Sequence, residues 1–96
     1  MNKNQFDKFN SLFNAMVKVE SVSEARAFLE DLCTIKELED MTQRLEVCLL
    51  LEKGKNYNEI SSETGASSAT ISRVRKCYQY SDGYKTILKK LNGENK

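Results

Sequence analysis

The side chains of this sequence that could do chemistry are concentrated in its second half, and they are short hydroxyl groups and cations. A run rich in serine, threonine and alanine at residues 67–72 leads into Arg73, Arg75 and Lys76. The three cations can neutralise phosphates of a nucleic-acid backbone. If the run begins a helix, its short side chains let the backbone approach base edges, and its free amides suit phosphate. The pattern therefore predicts double-stranded DNA as a partner.

The charge distribution is uneven along the chain. Residues 1–52 carry 6 basic and 10 acidic side chains, a net charge of −4, whereas residues 53–96 carry 9 basic and 4 acidic side chains, a net charge of +5. Such asymmetry suggests that the second half meets a polyanion. Ordinary scatter of surface charge would explain the same numbers equally well, so the motif has to decide.

The usual catalytic groups are missing. The sequence contains no histidine, the commonest general base, and no glycine-rich phosphate loop, and no serine or cysteine has an evident activating partner. Cys33, Cys48 and Cys77 are odd in number and widely spaced, which indicates reduced thiols in a cytoplasmic protein. We predict no enzymatic activity, no metal site and no required cofactor. We also expect no membrane span and no signal peptide, because no long apolar run occurs and the N-terminus is polar.

Hydrophobic periodicity predicts an all-α fold with six helices in one domain that spans residues 1–96. The first helix covers Gln5–Val17, and its apolar face consists of Phe6, Phe9, Phe13 and Met16. Two capping boxes, Ser21 to Glu24 and Thr34 to Glu37, begin the second and third helices. The expected inner face of the second helix consists of Ala25, Phe28, Leu29 and Leu32. Gly54 ends the third helix.

The later helices are shorter. An Asn56 to Glu59 cap begins the fourth helix and Gly65 ends it, and the fifth runs from Ser67 or Ser68 to about Tyr78. The sixth covers Asp82–Leu91, with four side chains directed inward: Tyr84, Ile87, Leu88 and Leu91. Residues 92–96 are expected to fray. The tyrosines are attributed to packing around the last helix: Tyr57, Tyr78, Tyr80 and Tyr84.

Residues 56–78 read as a helix-turn-helix, in which two helices cross steeply over a turn of three or four residues. Gly65 supplies the left-handed backbone conformation that the turn needs. Ile60, Ile71 and Val74 are apolar where the pair of helices must pack against the body of the protein. A plain helical hairpin with a serine-rich cap is the alternative. DNA binding is favoured because the glycine, the apolar positions, the polar tip and the local positive charge agree.

The segment Thr64–Arg73 resembles the helix-turn-helix of the Trp repressor superfamily. Asp31–Leu38 and Met41–Leu45 are similar to the preceding core of its YerC/YecD-type branch, and the resemblance covers about Phe9–Leu91. It implies an intertwined all-α homodimer in which the N-terminal helices dimerise and two helix-turn-helix heads bind an operator. The implied function is a sequence-specific transcriptional regulator, a repressor, with amino-acid biosynthesis genes as candidate targets.

The DNA-binding roles are divided between two groups of residues. Base reading is assigned to the front of the fifth helix, at Ser68, Ala69, Thr70 and Ser72, next to Ser67. Phosphate contact is assigned to Lys55, Asn58, Arg75 and Lys76. Arg73 serves either DNA or a ligand.

Two arginines raise the question of a small-molecule effector. In the family that this sequence resembles, two arginines sandwich the indole ring of tryptophan, and Arg44 and Arg73 match their positions. Their guanidinium groups suit an anionic or zwitterionic ligand. However, Val74 replaces a glycine and Cys77 replaces a small hydroxyl residue, so we predict that tryptophan is not the effector. The alternative is that both arginines make only ion pairs or phosphate contacts.

The continuous apolar segment Val47–Leu51 points all round its helix and needs neighbours on every side. Together with the aromatic face of the first helix, it predicts an obligate homodimer. Two other functions remain open: a helix-turn-helix that docks onto protein, and a replication or architectural factor without repressor activity. The operator, the regulated genes and the sign of regulation are not determined by the sequence.

Overall fold

The computed structural model describes residues 4–93, which form seven helices and no strand. The helices are α1 (Asn4–Asp7), α2 (Asn10–Met16), α3 (Val22–Leu32), α4 (Ile35–Glu52), α5 (Tyr57–Thr64), α6 (Ser68–Tyr80) and α7 (Gly83–Leu91). The all-α class is confirmed. Contacts group the chain into two compact units, Met1–Ile35 and Lys36–Lys96. None of these seven helices is both long and apolar enough to cross a membrane.

The prediction of one continuous helix over Gln5–Val17 is wrong. The chain turns at Lys8 and Phe9, where the Phe9 amide donates to the Phe6 carbonyl oxygen at 2.9 Å. This is the tighter i to i+3 pattern of a short turn. Asn10 and Ser11 follow directly, and such side chains compete with the helical backbone for hydrogen bonds. The break separates α1 from α2.

The aromatic face of α1 and α2 forms a cluster of its own. The ring centroid of Phe6 lies 5.7 Å from that of Phe9 and 6.3 Å from that of Phe13. These distances are typical of favourable aromatic pairs. Each of the three residues is nevertheless about 40% exposed. The face exists as predicted, but the described part of the chain does not bury it.

The start of α3 follows the predicted cap. The Ser21 Oγ accepts a hydrogen bond from the Glu24 amide at 3.0 Å, and Glu24 Oε1 accepts one from the Glu20 amide at 2.9 Å. The glutamate thus reaches one residue before the cap. The predicted inner face is only half-buried, and Leu32 is 49% exposed, so its inward assignment is wrong within one chain.

The long helix α4 supplies the base on which the later helices pack. Val47 and Cys48 are fully buried, and the next three leucines are half-buried. The helix ends as predicted at Gly54, which adopts a φ of 84°. The Gly54 amide donates to the Leu51 oxygen and the Lys55 amide to the Leu50 oxygen. This pair of bonds satisfies carbonyl groups that have no partner within the helix.

The core of the second unit joins α4, α5, α6 and α7. Its buried members are Val47, Cys48, Ile60, Ala66, Ile71, Val74 and Leu88. In α7, Leu88 is buried and Tyr84 half-buried, whereas Ile87 and Leu91 are 51% and 62% exposed. Their predicted inward orientation is therefore wrong in the single chain. Residues four apart share one face of a helix, and the Tyr84–Leu88 face is the one that meets the core.

The prediction that the chain frays from Asn92 onward is wrong at its first residue. The Asn92 amide donates to the Leu88 oxygen at 3.0 Å, and Asn92 Nδ2 donates to Glu52 Oε1 at 3.3 Å. The rest of the predicted tail, residues 94–96, lies outside the described residues.

Candidate nucleic-acid interface

The helix-turn-helix consists of α5, a three-residue turn and α6, and its first helix begins at a complete capping box. Asn56 Oδ1 accepts from the Glu59 amide at 2.9 Å, and Glu59 Oε1 accepts from the Asn56 amide at 3.0 Å. The turn begins at Gly65, whose φ of 75° lies in the left-handed region. Its amide donates to the Ser61 oxygen at 2.8 Å. The predicted start and end of this helix are confirmed.

The turn is also held by side chains that the sequence analysis did not single out. Thr64 Oγ1 donates to the Ile60 oxygen at 2.8 Å and accepts from the Ala66 amide at 3.1 Å. From α4, Gln43 Nε2 donates to the Thr64 oxygen at 3.2 Å. This last bond joins residues 21 positions apart, so no local sequence pattern predicts it. It connects the central helix to the turn that orients α6.

At the start of α6, one hydroxyl group caps the helix and another is exposed on its surface. Ser67 is the N-cap, and its Oγ accepts from the Thr70 amide and donates to Thr70 Oγ1, both at 3.1 Å. That hydroxyl is engaged within the cap, so Ser67 is a weaker candidate for a DNA contact than the residues that were assigned to base reading. Ser68 and Ala69 are exposed, and Thr70 is half-buried. The exposed tip of α6 thus consists of two short side chains.

The other predicted contacts surround this tip. Ile60, Ile71 and Val74 are buried, as expected for the positions that seat the motif. Arg73 is exposed. The four predicted phosphate contacts are exposed as well: Lys55, Asn58, Arg75 and Lys76. Burial of the apolar side of α6 fixes which of its residues face outward.

Tyr57 contacts α6 and is one of the half-buried residues that pack against the core. Its Oη is 3.5 Å from Ser72 Oγ, and the guanidinium carbon of Arg75 is 6.0 Å from the centre of its ring. The contacts with Ser72 and then with Arg75 lower the pKa of Tyr57. Tyr80 is 83% exposed. The attribution of Tyr80 to packing around the last helix is therefore wrong.

The two arginines matched to the effector site both influence the pKa of one phenol. Burial raises the pKa of Tyr84, and the positive charges of Arg44 and Arg73 act in the opposite direction. Arg44 is half-buried on α4, and Arg73 is exposed on α6. Val74 is buried, so its branched side chain points inward as expected. Within residues 4–93, no group of three or more acidic or cysteine side chains is arranged to hold a metal ion.

The family of the chain follows from its sequence. Residues 7–92 match the family model described as Trp repressor protein. This chain belongs to the Trp repressor family. The match contains every helix from α2 to α7, and thus both the N-terminal helix α2 and the helix-turn-helix.

Proteins from three bacteria resemble this chain in sequence, and for two of them the fold is known to be similar. The uncharacterized protein YerC of Bacillus subtilis (strain 168) is 42% identical over 85 residues, which cover 88% of this chain and 82% of that protein. A Staphylococcus aureus crystal structure, provisionally described as a Trp repressor, superposes with a TM-score of 0.88 at 37% identity, covering 96% of this chain and 95% of that one. A TrpR-like protein from Eubacterium eligens ATCC 27750 superposes with the same TM-score and the same identity, and the match covers 98% of this chain and 100% of that one.

Membership of the Trp repressor family indicates the function of the chain. The family comprises DNA-binding regulators, and the helix-turn-helix is the part of this fold that presents a polar helix on a buried support. The resemblance to a YerC-type branch is confirmed by the Bacillus subtilis relative. The protein is accordingly a DNA-binding regulator of the Trp repressor family.

Proposed function

We propose that this protein is a cytoplasmic transcriptional repressor that binds a specific double-stranded DNA site as a homodimer. The observation that carries the proposal is the orientation of α6. On this helix Ile71 and Val74 are buried, while Ser68, Ala69 and Arg73 are exposed. A helix with a short polar tip and flanking cations suits the major groove. Membership of the Trp repressor family supports the same function.

Within this proposal, the bases are read by the front of α6. Ser68 and Ala69 carry short side chains, so the helix can approach base edges closely. Exposed cations and amides at both ends of the motif then contact phosphates, which fix the register without reading sequence. The proposed phosphate contacts are Lys55, Asn58, Arg75 and Lys76.

Control by a small molecule is a separate part of the proposal. Arg44 and Arg73 match the two arginines of the family's effector site, and their guanidinium groups suit a small anionic or zwitterionic ligand. We propose that any such effector is not tryptophan, because Val74 supplies bulk where the family has a glycine. Amino-acid biosynthesis genes are the proposed targets, on the basis of the family alone.

Selection of bound fragments from genomic DNA with the purified protein tests the proposal directly. We expect enrichment of one roughly palindromic motif upstream of a small set of genes, since a two-fold symmetric dimer reads two half-sites about one DNA turn apart. Binding that places the site over a promoter supports repression. Failure to shift any duplex would contradict DNA binding and favour a module that docks onto protein.

The division of labour is tested with two variants. Lys76→Ala removes one phosphate contact per protomer and should weaken all duplexes alike, reducing the salt slope by about one for each protomer bound. Ala69→Leu adds bulk at the tip and should change which sequences are enriched. If Lys76→Ala altered sequence preference and kept the salt slope, the assignment of these two residues would be wrong.

A further inference from the structure

A small cleft lies between the start of α5 and the outer side of α6. It has a volume of about 210 Å³ and is lined by Tyr57, Ser72, Arg75, Lys76, Gln79 and Tyr80. We call these six residues the α5–α6 notch. Its volume is below the range of about 300–1,000 Å³ that pockets for small organic ligands occupy. The notch therefore suits a single compact chemical group.

The chemistry of the notch favours an anion. Two of its six lining residues are cations, and the other four carry phenol, hydroxyl or amide groups that can donate hydrogen bonds. None of the six is acidic. A phosphate group offers strong acceptor oxygens and negative charge, which match both the donors and the cations.

The notch is held in shape by Tyr57. The 3.5 Å separation between Tyr57 Oη and Ser72 Oγ places the two hydroxyl groups side by side. The Arg75 guanidinium lies 6.0 Å from the centre of the Tyr57 ring, which is within the range of cation–π attraction. Tyr57 is half-buried at the start of α5, next to the N-cap residue Asn56. A phenol fixed on one helix thus orients two polar groups on the other.

We propose that the α5–α6 notch binds one phosphodiester group of the DNA backbone, with the Tyr57 hydroxyl and the Gln79 amide donating to its oxygens beside Arg75 and Lys76. The inference rests on the proposed DNA binding and adds Tyr57 and Gln79 to it. It also moves Ser72 from base reading to the phosphate group. Because every phosphodiester is alike, this contact carries affinity and register but no sequence information.

The test compares duplex binding by Tyr57→Phe and by the full-length wild-type protein. The variant removes only the hydroxyl and keeps the ring that holds Arg75. We expect affinity to fall about ten-fold on a selected site and on a random 30-base-pair duplex alike, the size of one hydrogen bond to a charged group. The salt slope should stay unchanged because no charge is lost, whereas Arg75→Gln should lower it by about one for each protomer bound.

Two further variants keep the test decisive. Gln79→Ala changes an exposed residue and should weaken both duplexes a few-fold. Tyr78→Phe, on the same helix but outside the notch, should bind like wild type, and thermal melting should show all variants folded. Wild-type affinity in Tyr57→Phe and Gln79→Ala, or a loss confined to the selected site, would overturn the notch and leave DNA binding intact. Absence of duplex binding by the wild type would overturn both.

Discussion

At the scale of single residues, side-chain oxygens of the helix-turn-helix bind backbone amides that the helices themselves leave without a partner. Asn56, Thr64 and Ser67 each accept a hydrogen bond from an amide two or three residues further on. A cap of this kind contributes about 0.5–2 kcal/mol to the free energy of unfolding. These residues fix the backbone, while the neighbouring Ser68 and Ala69 remain on the surface.

Cys48 makes the stability of the protein depend on alkaline pH. Burial, followed by the negative charge of Glu52, raises the pKa of its thiol from 9.0 to about 11. A raised pKa leaves stability intact below pH 9 and lowers it as pH rises to about 11, because only the unfolded thiol ionises in that range. The loss should be at most about 3 kcal/mol, from a shift of about two pKa units.

Urea unfolding at pH 8 and at pH 10.5 measures this effect. Cys48→Ala should be less stable at both pH values but should lose less stability between them than wild type does. Cys33→Ala, which changes a half-buried thiol in the other unit, should keep the wild-type difference. Identical pH dependence in wild type and Cys48→Ala would show that the buried thiol is not responsible.

Val74 and Tyr84 predict the outcome of adding tryptophan. Val74 is buried at the position matched to a glycine of the family, and the positive charges of Arg44 and Arg73 act to lower the pKa of Tyr84. The branched side chain of Val74 supplies bulk that a glycine would not, and we expect it to exclude an indole ring. We expect isothermal titration with tryptophan to show no saturable heat. Saturable binding that disappeared in Arg73→Ala would contradict this prediction.

At the scale of secondary-structure elements, the turn between α5 and α6 depends on the backbone of one glycine. An added Cβ at Gly65 would meet no atom within 4 Å, so any cost of Gly65→Ala comes from its φ of +75°. We expect a loss of about 1–2 kcal/mol, the cost of the left-handed conformation for an L residue. The free energy of unfolding from urea titration gives this value.

Gly83 is the matched control for that substitution. It begins α7 without a positive φ, and an added Cβ there also meets no atom within 4 Å. Gly83→Ala should therefore raise the free energy of unfolding by about 0.4–1 kcal/mol, because alanine restricts the unfolded chain. Equal effects of the two substitutions would show that the turn tolerates an ordinary residue.

At the scale of the whole molecule, the exposed apolar residues predict self-association. Phe6, Phe9 and Phe13 on one unit, and Ile87 and Leu91 on the other, expose large apolar side chains to water. Exposed apolar surface of this kind marks sites of protein association. We expect sedimentation equilibrium to give a dimer at micromolar concentration.

A charge on the aromatic face tests the same prediction. Phe13→Glu should shift the protein to monomer or unfold it, because a carboxylate would have to be buried in the interface. Asn14→Glu adds the same charge to the neighbouring exposed position of α2 and should remain dimeric. A stable folded monomer in the wild type at this concentration would exclude the obligate dimer.

The sequence alone determined the features that depend on neighbouring residues. The caps at Ser21, Asn56 and Ser67 and the turn at Gly65 follow from side chains and backbone within four residues of one another. Helical spacing also identified Ile60, Ile71 and Val74 as buried. Such patterns depend only on residues that are close together in the sequence, so the sequence contains all the information that they require. The assignments of residues to bases and phosphates stay predictions.

The tertiary structure decided everything that joins distant segments. The bond from Gln43 to Thr64, the contact of Tyr57 with α6 and the exposure of Ile87 and Leu91 are set by how the helices meet. Periodicity marks a helix face as apolar, but it does not say whether its own chain covers that face. Which apolar and polar groups find partners depends on packing between elements, and for that reason the α5–α6 notch emerged only from the folded chain.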